Sequence, residues 1–250
     1  MGPEEDSMSV SSLLSSVPTH RRRTLLIAVA AIALAIIAWN LPALDFAMYP
    51  LRLFVTFVHE SGHGLAALVS GGDFRTLTVM ADGSGVATTA GGARALILPA
   101  GYLGAALFGA VLFIAANRVH RVRWVSSALA VLLVLLTLLY TPLLSTGFLV
   151  GLGFAAVLGA LAWKGSADVN RLVLMVLAVL VGLNAVLDLT TLVQYSNIGM
   201  GSVRNDAAAF SAEIFPLIPG AVWALCWAGI AIALLAGAAW FALVRPLRRR

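Results

Sequence analysis

Residues 46–70 read FAMYPLRLFVTFVHESGHGLAALVS, an apolar segment that is long enough to cross a lipid bilayer as a helix. Its second half contains the pentapeptide HESGH at residues 59–63, which brings three ionisable side chains into five positions. Ionisable groups inside a membrane helix are costly unless they face a partner or a wet cavity. This segment therefore predicts both a membrane helix and a functional site within it.

The composition of the whole chain is that of a membrane protein. Of its 250 residues, 61% are hydrophobic and 11% are charged, which excludes a water-soluble globule, a disordered chain and a coiled coil. The formal net charge of +5 does not indicate nucleic-acid binding, because the arginines lie mostly at the ends of apolar runs, as membrane-surface anchors do. The single cysteine, Cys226, excludes a disulfide framework within one chain.

The apolar runs predict an all-α polytopic membrane protein with about seven transmembrane helices, counted to within one. They cover residues 24–39, 46–70, 93–116, 124–140, 143–163, 169–194 and 217–244. We expect a flexible polar tail at residues 1–23, a single transmembrane domain at residues 24–244 and a basic tail at residues 245–250.

A small β-hairpin is predicted directly after the second apolar run. Residues 76–80 alternate between polar and apolar, Asp82-Gly83-Ser84-Gly85 offers a tight turn, and residues 86–89 supply the return strand. Lipid offers no hydrogen-bond partner to the edge of a sheet. The hairpin at residues 76–89 must therefore leave the membrane or be covered by protein around a cavity.

The basic residues leave the orientation in the membrane open. With seven crossings, the side of the N-terminal tail carries Arg21, Arg22, Arg23, Arg75, Arg94 and Arg204. The other side carries Arg118, Arg121, Arg123, Lys164, Arg171 and the arginines of the C-terminal tail. A cytoplasmic N-terminal tail would then violate the positive-inside tendency. Either the number of crossings is wrong by one or the topology is inverted.

The residues His59-Glu60-Ser61-Gly62-His63 fit the H-E-x-x-H pattern of metallohydrolases. A spacing of four places both imidazoles on one face of a helix, where they can bind one Zn²⁺, and puts Glu60 beside the metal to act on its water. Two alternatives are a polar cluster that seals helix contacts and a proton relay in a transporter. Neither alternative requires this order and spacing of residues.

Hydrolytic zinc sites use three protein ligands and leave one position for water, so we expect a third ligand elsewhere in the chain. Asp188 is the only acidic residue deep within a later apolar run, and a bound cation would balance its charge. Asn184 lies one turn before Asp188 on the same face, where it either orients the carboxylate or a substrate or serves as polar glue between helices. Asp206 and Glu213, in the long loop that follows, are the runner-up ligands.

The chain resembles the site-2 protease class of intramembrane zinc metallopeptidases, in particular its compact bacterial and plant branch without a PDZ domain. The matching segments are residues 59–64 (HESGHG), 71–72 (GG), 82–86 (DGSGV), 91–92 (GG) and 99–104 (PAGYLG). The resemblance covers a metallopeptidase core at about residues 46–240. It implies that the small-residue block at 99–104 packs beside the zinc helix. It also implies that the hairpin is a membrane-associated sheet that presents the substrate in extended form.

We therefore predict an intramembrane zinc metalloprotease in which His59, His63 and Asp188 hold Zn²⁺ and Glu60 takes a proton from the attacking water. The expected partners are a transmembrane protein substrate and the lipid bilayer, with no nucleic acid, and the expected location is a bacterial cell membrane. The alternatives are not enzymes. They are a metal-binding transporter or regulator, a degenerate protease that only binds clients, and a chaperone or subunit with a structural polar cluster.

Overall fold

The computed structural model describes residues 19–196 and 205–245 of the chain. Residues 1–18 of the expected N-terminal tail and residues 246–250 of the expected C-terminal tail lie outside the described residues, as does Arg204. The elements are, in chain order, α1 (Thr19–Asn40), α2 (Asp45–Val69), β1 (Asp73–Val79), β2 (Gly85–Ala90), α3 (Arg94–Arg118), α4 (Val122–Tyr140), α5 (Thr146–Lys164), α6 (Ala167–Ser196), α7 (Asp206–Glu213) and α8 (Gly220–Ala239). A π-helical turn, Trp240–Val244, continues α8.

Six of these helices are long and apolar enough to cross a membrane, namely α1, α3, α4, α5, α6 and α8 with its π-helical turn. The protein is an integral, multi-pass membrane protein, as the sequence predicted. The α2 helix is as long as α3, at 25 residues, but the polar residues of its HESGH motif reduce its apolar character. The helix with the motif is therefore the one whose composition least resembles a simple membrane span.

Contacts between helix ends show how many times the chain crosses the bundle. Arg23 near the start of α1 forms an ion pair with Asp168 at the start of α6. Arg171 on α6 donates to the Ala116 carbonyl near the end of α3, and Arg118 at the end of α3 contacts the carbonyl of Phe241 after α8. The start of α1 and the end of α8 therefore lie at the same end of the bundle. This requires an even number of crossings, so α2 adds none to the six.

The α3 helix lies at the centre of the bundle and contacts α2, α6 and α8. Its small residues allow this because a side chain would not fit between the backbones. A Cβ added at Gly109 would lie 2.7 Å from the Ala178 carbonyl of α6, and one added at Gly62 of α2 would lie 2.3 Å from the Ala100 carbonyl of α3. The expectation that residues 99–104 pack beside α2 agrees with this close approach.

The β-hairpin forms where the sequence predicts it. Strands β1 and β2 pair in antiparallel fashion from Asp73 opposite Ala90 to Val79 opposite Gly85, with one irregularity at Arg75. Gly83 has a φ of +93° in the turn, which glycine adopts without steric cost. One face of the hairpin is covered by protein, because Phe74, Leu77 and Val79 of β1 are buried and both strands contact α2.

The hairpin turn is attached to α2 by two hydrogen bonds. The Thr56 hydroxyl donates to the Gly83 carbonyl at 2.8 Å, and the Tyr49 hydroxyl donates to the Ala81 carbonyl at 2.7 Å. These contacts lay the hairpin back along α2, towards the helix start. As a result, the first residue of β2 comes close to the HESGH motif.

Candidate metal centre

The two histidines of the motif project from α2 towards the start of α3. Their Nε2 atoms lie 3.1 Å apart, and the rings meet edge to face with centroids 4.8 Å apart. Nδ1 of His63 donates a hydrogen bond of 2.7 Å to the Ile97 carbonyl of α3. This bond places the ring proton on Nδ1 and leaves the Nε2 lone pair of His63 free to bind a metal.

Asp206 completes a compact group with the two histidines. Its Oδ2 lies 3.3 Å from Nε2 of His59 and 3.3 Å from Nε2 of His63. The three ligand atoms therefore form a nearly equilateral triangle, with the 3.1 Å separation of the two nitrogens as its third side. Among the residues that the structure describes, His59, His63 and Asp206 form the group of His, Cys, Asp or Glu side chains that could hold a metal ion.

These distances suit zinc. In a tetrahedral site with Zn–N and Zn–O bonds of ~2.0–2.1 Å, the ligand atoms lie about 3.3–3.4 Å from one another. The triangle of His59, His63 and Asp206 has sides of 3.1 to 3.3 Å, so it matches one face of such a tetrahedron. The fourth position would remain available for water, as a hydrolytic site requires.

Gly101 of α3 keeps the space in front of the histidines open. A Cβ added at this position would lie 2.3 Å from Nε2 of His59 and 2.4 Å from Nε2 of His63. Any side chain at Gly101 would thus enter the space that an ion bound to both nitrogens needs. The donor set and this open space together fit a metal ion.

Glu60 lies beside the group without belonging to it. Glu60 is buried. Its carboxyl group faces the start of β2, because a Cβ added at Gly85 would lie 2.9 Å from Oε1 of Glu60. The backbone amide of Ala87 on β2 also interacts with this carboxylate. The first residues of β2 and the α2 helix thus fix Glu60 between the hairpin and the histidines.

Asp188, the predicted third ligand, lies near this group but is not part of it. Its Oδ2 accepts a hydrogen bond of 2.6 Å from Nδ2 of Asn184, one turn earlier on α6. Asp188 interacts electrostatically with His59, whereas Asp206 contacts both imidazoles. The geometry thus favours the runner-up, Asp206, over Asp188 as the third ligand. The amide of Asn184 thus contacts the Asp188 carboxylate, and the functional role of Asn184 stays a prediction.

Asp206 is available as a charged ligand. Burial alone would raise the pKa of its carboxyl group, but His59 and His63, when they are protonated and no metal is bound, outweigh burial and hold the pKa well below its usual range. Asp206 is therefore a carboxylate at neutral pH. Two neutral imidazoles and one carboxylate form a donor set that binds Zn²⁺.

The short helix α7 brings Asp206 to the site, and the sequence did not predict this helix. Asn205 caps it, since its side chain accepts a hydrogen bond of 2.8 Å from the amide of Ala208. Arg94 at the start of α3 donates to both carboxylate oxygens of Glu213 at the end of α7, at 2.8 and 3.0 Å. Glu213, the other runner-up ligand, thus anchors the helix and does not join the group that Asp206 forms with the histidines.

Two aromatic residues near the site were also not singled out from the sequence. The Tyr102 ring meets the His59 ring edge to face at a centroid distance of 4.5 Å, and Trp227 of α8 lies 6.4 Å from Tyr102. Tyr102 follows Gly101 in the block at residues 99–104. Because that block was expected to pack beside α2, its position was the signal that could have pointed to Tyr102. The aromatic pair shields His59 on the side of α8.

A comparison with protein-family models finds one match, described as Peptidase M50B-like, over residues 27–238. The match includes α2, the hairpin, α7 and the residues of the metal centre. Comparisons with curated proteins and with solved structures found no match.

Proposed function

Because the chain belongs to the Peptidase M50B-like family, we propose that it is a zinc metalloprotease that cleaves peptide bonds in or near transmembrane segments of other membrane proteins. This family is consistent with the site-2 protease class of intramembrane metallopeptidases. The zinc dependence, the endopeptidase activity and the membrane-protein substrate are the parts that we propose for this chain.

The observation that carries the proposal is the arrangement of four side chains. The ligand atoms of His59, His63 and Asp206 form a triangle with the spacing of tetrahedral zinc ligands. Glu60 lies next to this triangle on the same helix and is held by the start of β2. A structural polar cluster would not need an open space at Gly101 or a carboxylate beside the ligands.

A Zn²⁺ ion held by His59, His63 and Asp206 would lower the pKa of a bound water towards neutrality and would polarise the carbonyl group of the bond to be cleaved. His63 is oriented by its hydrogen bond to the Ile97 carbonyl, which keeps the metal-binding nitrogen aimed at Asp206. Glu60 takes the proton from the attacking water and later passes it to the leaving amine. Its buried position keeps the proton near the site between these two steps.

The hairpin is suited to hold the substrate as an extended strand. The sheet has two strands in the described residues, and β2 begins beside Glu60. A peptide added to a strand edge is held by backbone hydrogen bonds, so varied side chains are tolerated. Extension is also required for cleavage, because the carbonyl groups of a transmembrane helix are already hydrogen-bonded and shielded. The substrate helix must therefore unwind locally at the site.

The general-base role is tested by replacing Glu60. We expect Glu60→Gln to bind zinc like the unaltered protein but to cleave a single-span reporter protein about 10²–10⁴ times more slowly, since the amide cannot accept the proton. His59→Ala should lose both zinc and cleavage. The measurements are metal content of the detergent-purified protein and cleavage in proteoliposomes. Cleavage by Glu60→Gln at the original rate would reject the mechanism, and stoichiometric zinc without any cleavage would indicate a client-binding protein.

The third ligand is tested by comparing two isosteric substitutions. We expect Asp206→Asn to weaken zinc binding by more than the ~10–100-fold that loss of an outer hydrogen-bond partner typically costs. Asp188→Asn should retain zinc with a smaller loss of affinity, because Asp188 is held by Asn184 away from the triangle. Competition against a zinc-binding dye measures both affinities. The reverse order of effects would restore Asp188 as the ligand.

A further inference from the structure

An apolar groove runs along the outside of the bundle between α3 and α4, with its floor on α2. Its volume is about 510 Å³, and Ser61 and Gly62 of α2 lie on its floor. Val125, Ala128 and Leu132 form the α4 wall. On α3 the lining extends from Ala100 to Ala115, a length of about 22 Å for a helix. We refer to it as the α3–α4 groove.

The groove requires an occupant that is apolar along most of its length. Ser61 is a polar lining residue, and its hydroxyl already donates to the Phe57 carbonyl of its own helix at 2.7 Å. The lining residues Leu107, Val111 and Leu132 remain exposed, so the groove opens sideways towards lipid. A helix of the same length and about 10 Å across has a volume of about 1,700 Å³, so the groove would hold only part of its cross-section. A single extended hydrocarbon chain is a better fit.

A cation stands at one end of the groove. Arg121 is the N-cap residue directly before α4, and it lies four residues before Val125 and seven before Ala128, which both line the groove. The Arg121 side chain is exposed and forms no hydrogen bond or ion pair with any residue of the described chain. Its neighbour Arg118 is already engaged by the carbonyl and ring of Phe241. Arg121 is thus a cation that remains available to a ligand in the groove.

The position of this end suits a lipid headgroup. Trp124, with 65% of its surface exposed, lies next to Val125, and exposed tryptophans mark the membrane–water interface. Other described basic residues at this end of the bundle include Arg22, Arg23, Arg118, Arg123, Lys164, Arg171 and Arg245. The positive-inside tendency places such an end in the cytoplasm, where the leaflet is rich in anionic lipid.

From this arrangement we propose that the α3–α4 groove binds an anionic phospholipid, with an acyl chain along α3 and α4 and the phosphate at Arg121. The acyl chain reaches Ser61 and Gly62, which follow Glu60 on α2. The bound lipid thus supports the back of the helix that carries the metal ligands. The proposal does not depend on the proposed protease activity, because it concerns a different face of α2.

The experiment compares lipid binding to the detergent-purified full chain by native mass spectrometry. The probes are phosphatidylglycerol and phosphatidylcholine with identical acyl chains. We expect a preference for phosphatidylglycerol that Arg121→Ala lowers about fivefold, the loss expected for one basic residue near the surface. The matched control is Arg123→Ala, which removes the same charge two residues further on, where the side chain points away from the groove face.

A second pair of variants tests the acyl-chain site. Ala128→Phe should fill the groove and lower the binding of both lipids, whereas Val131→Phe, at an exposed position of α4 outside the groove lining, should lower neither. Equal binding of the two lipids, or equal effects of Arg121→Ala and Arg123→Ala, would overturn the proposal. A change from dimer to monomer in Ala128→Phe with lipid binding unchanged would also overturn it, and would assign the groove to a second copy of the chain.

Discussion

Gly101 contributes no side chain, yet it controls the space in front of the Nε2 atoms of His59 and His63. A methyl group at this position would lie 2.3 Å from Nε2 of His59 and 2.4 Å from Nε2 of His63, inside the contact distance of any pair of non-bonded atoms. The rings of both histidines are held from behind, His63 by the Ile97 carbonyl and His59 by Tyr102. They cannot both turn away without losing these contacts.

We therefore expect Gly101→Ala to weaken zinc binding by at least about tenfold, as loss of outer support does in other zinc sites, while the protein still folds and inserts. Zinc content after dialysis against a chelator measures the loss. Gly104→Ala, one turn further along α3, is the matched control because its Cβ would lie 3.4 Å from the nearest atom, Cα of Gly62. Normal zinc content in Gly101→Ala would contradict the position that we infer for the ion.

The histidine pair could be predicted from the sequence because a spacing of four residues is a local property of one helix. The choice between Asp188 and Asp206 could not be predicted in the same way. Asp188 lies within an apolar run, and this position favoured it as the third ligand. Asp206 is separated from His59 by 147 residues of chain. Only the packing of α7 against α3 and α8 decides which carboxylate is nearer. The identity of the third ligand stays a prediction until both variants are measured.

At the level of elements, α7 is the part of the site with the least intrinsic stability. It has eight residues, fewer than the ~12–15 that an isolated helix needs in water. Contacts with the rest of the protein hold it in position. Phe210 is buried against Trp223 and Trp227, the Ser211 hydroxyl donates to the Ile218 carbonyl, and Glu213 pairs with Arg94.

We expect these contacts to affect zinc affinity in proportion to their strength. Arg94→Ala removes a partly exposed ion pair worth up to ~1 kcal/mol, so zinc affinity should fall by about fivefold or less. Phe210→Ala removes a buried aromatic ring, a change that typically costs ~3–5 kcal/mol, and should lower the affinity further. Competition with a zinc-binding dye gives both values.

Arg75→Ala is the control for this series, because Arg75 is an exposed arginine on β1 rather than on α7 or its supports. It should leave zinc affinity unchanged. If Phe210→Ala also left the affinity unchanged, α7 would hold Asp206 without these contacts, and the helix would need another anchor.

The longer elements follow from the sequence more directly than α7 does. The hairpin was predicted at residues 76–89 and is observed from Asp73 to Ala90, because alternation and a glycine turn specify it locally. The short helix was missed because eight residues between two spans carry too little periodicity to stand out. Its cap, Asn205, was the available local signal.

For the whole molecule, the contacts between helix ends resolve a conflict that the sequence leaves open. With six crossings, the basic residues at the start of α1, between α3 and α4, between α5 and α6 and after α8 all lie at one end of the bundle. The metal centre lies towards the other end, where α3 begins. Six candidate spans agree with the prediction of about seven, which was counted to within one. The difference is α2, which ends where α3 starts and adds no crossing to the six.

This arrangement predicts that both ends of the described chain face the same side of the membrane, and that this side is the cytoplasm. In a Cys226→Ser background, single cysteines at Arg22 and Arg245 should react with a membrane-impermeant maleimide in inside-out vesicles and stay unlabelled in right-side-out vesicles. A cysteine at Asp82, in the exposed turn of the hairpin, is a third position that reports whether the turn is reached by water and from which side. Labelling of Arg22→Cys and Arg245→Cys from opposite sides would establish an odd number of crossings. In that case α2 would be a full span. The N-terminal arginines would then face the opposite side of the membrane from the other basic residues and from the anionic-lipid site.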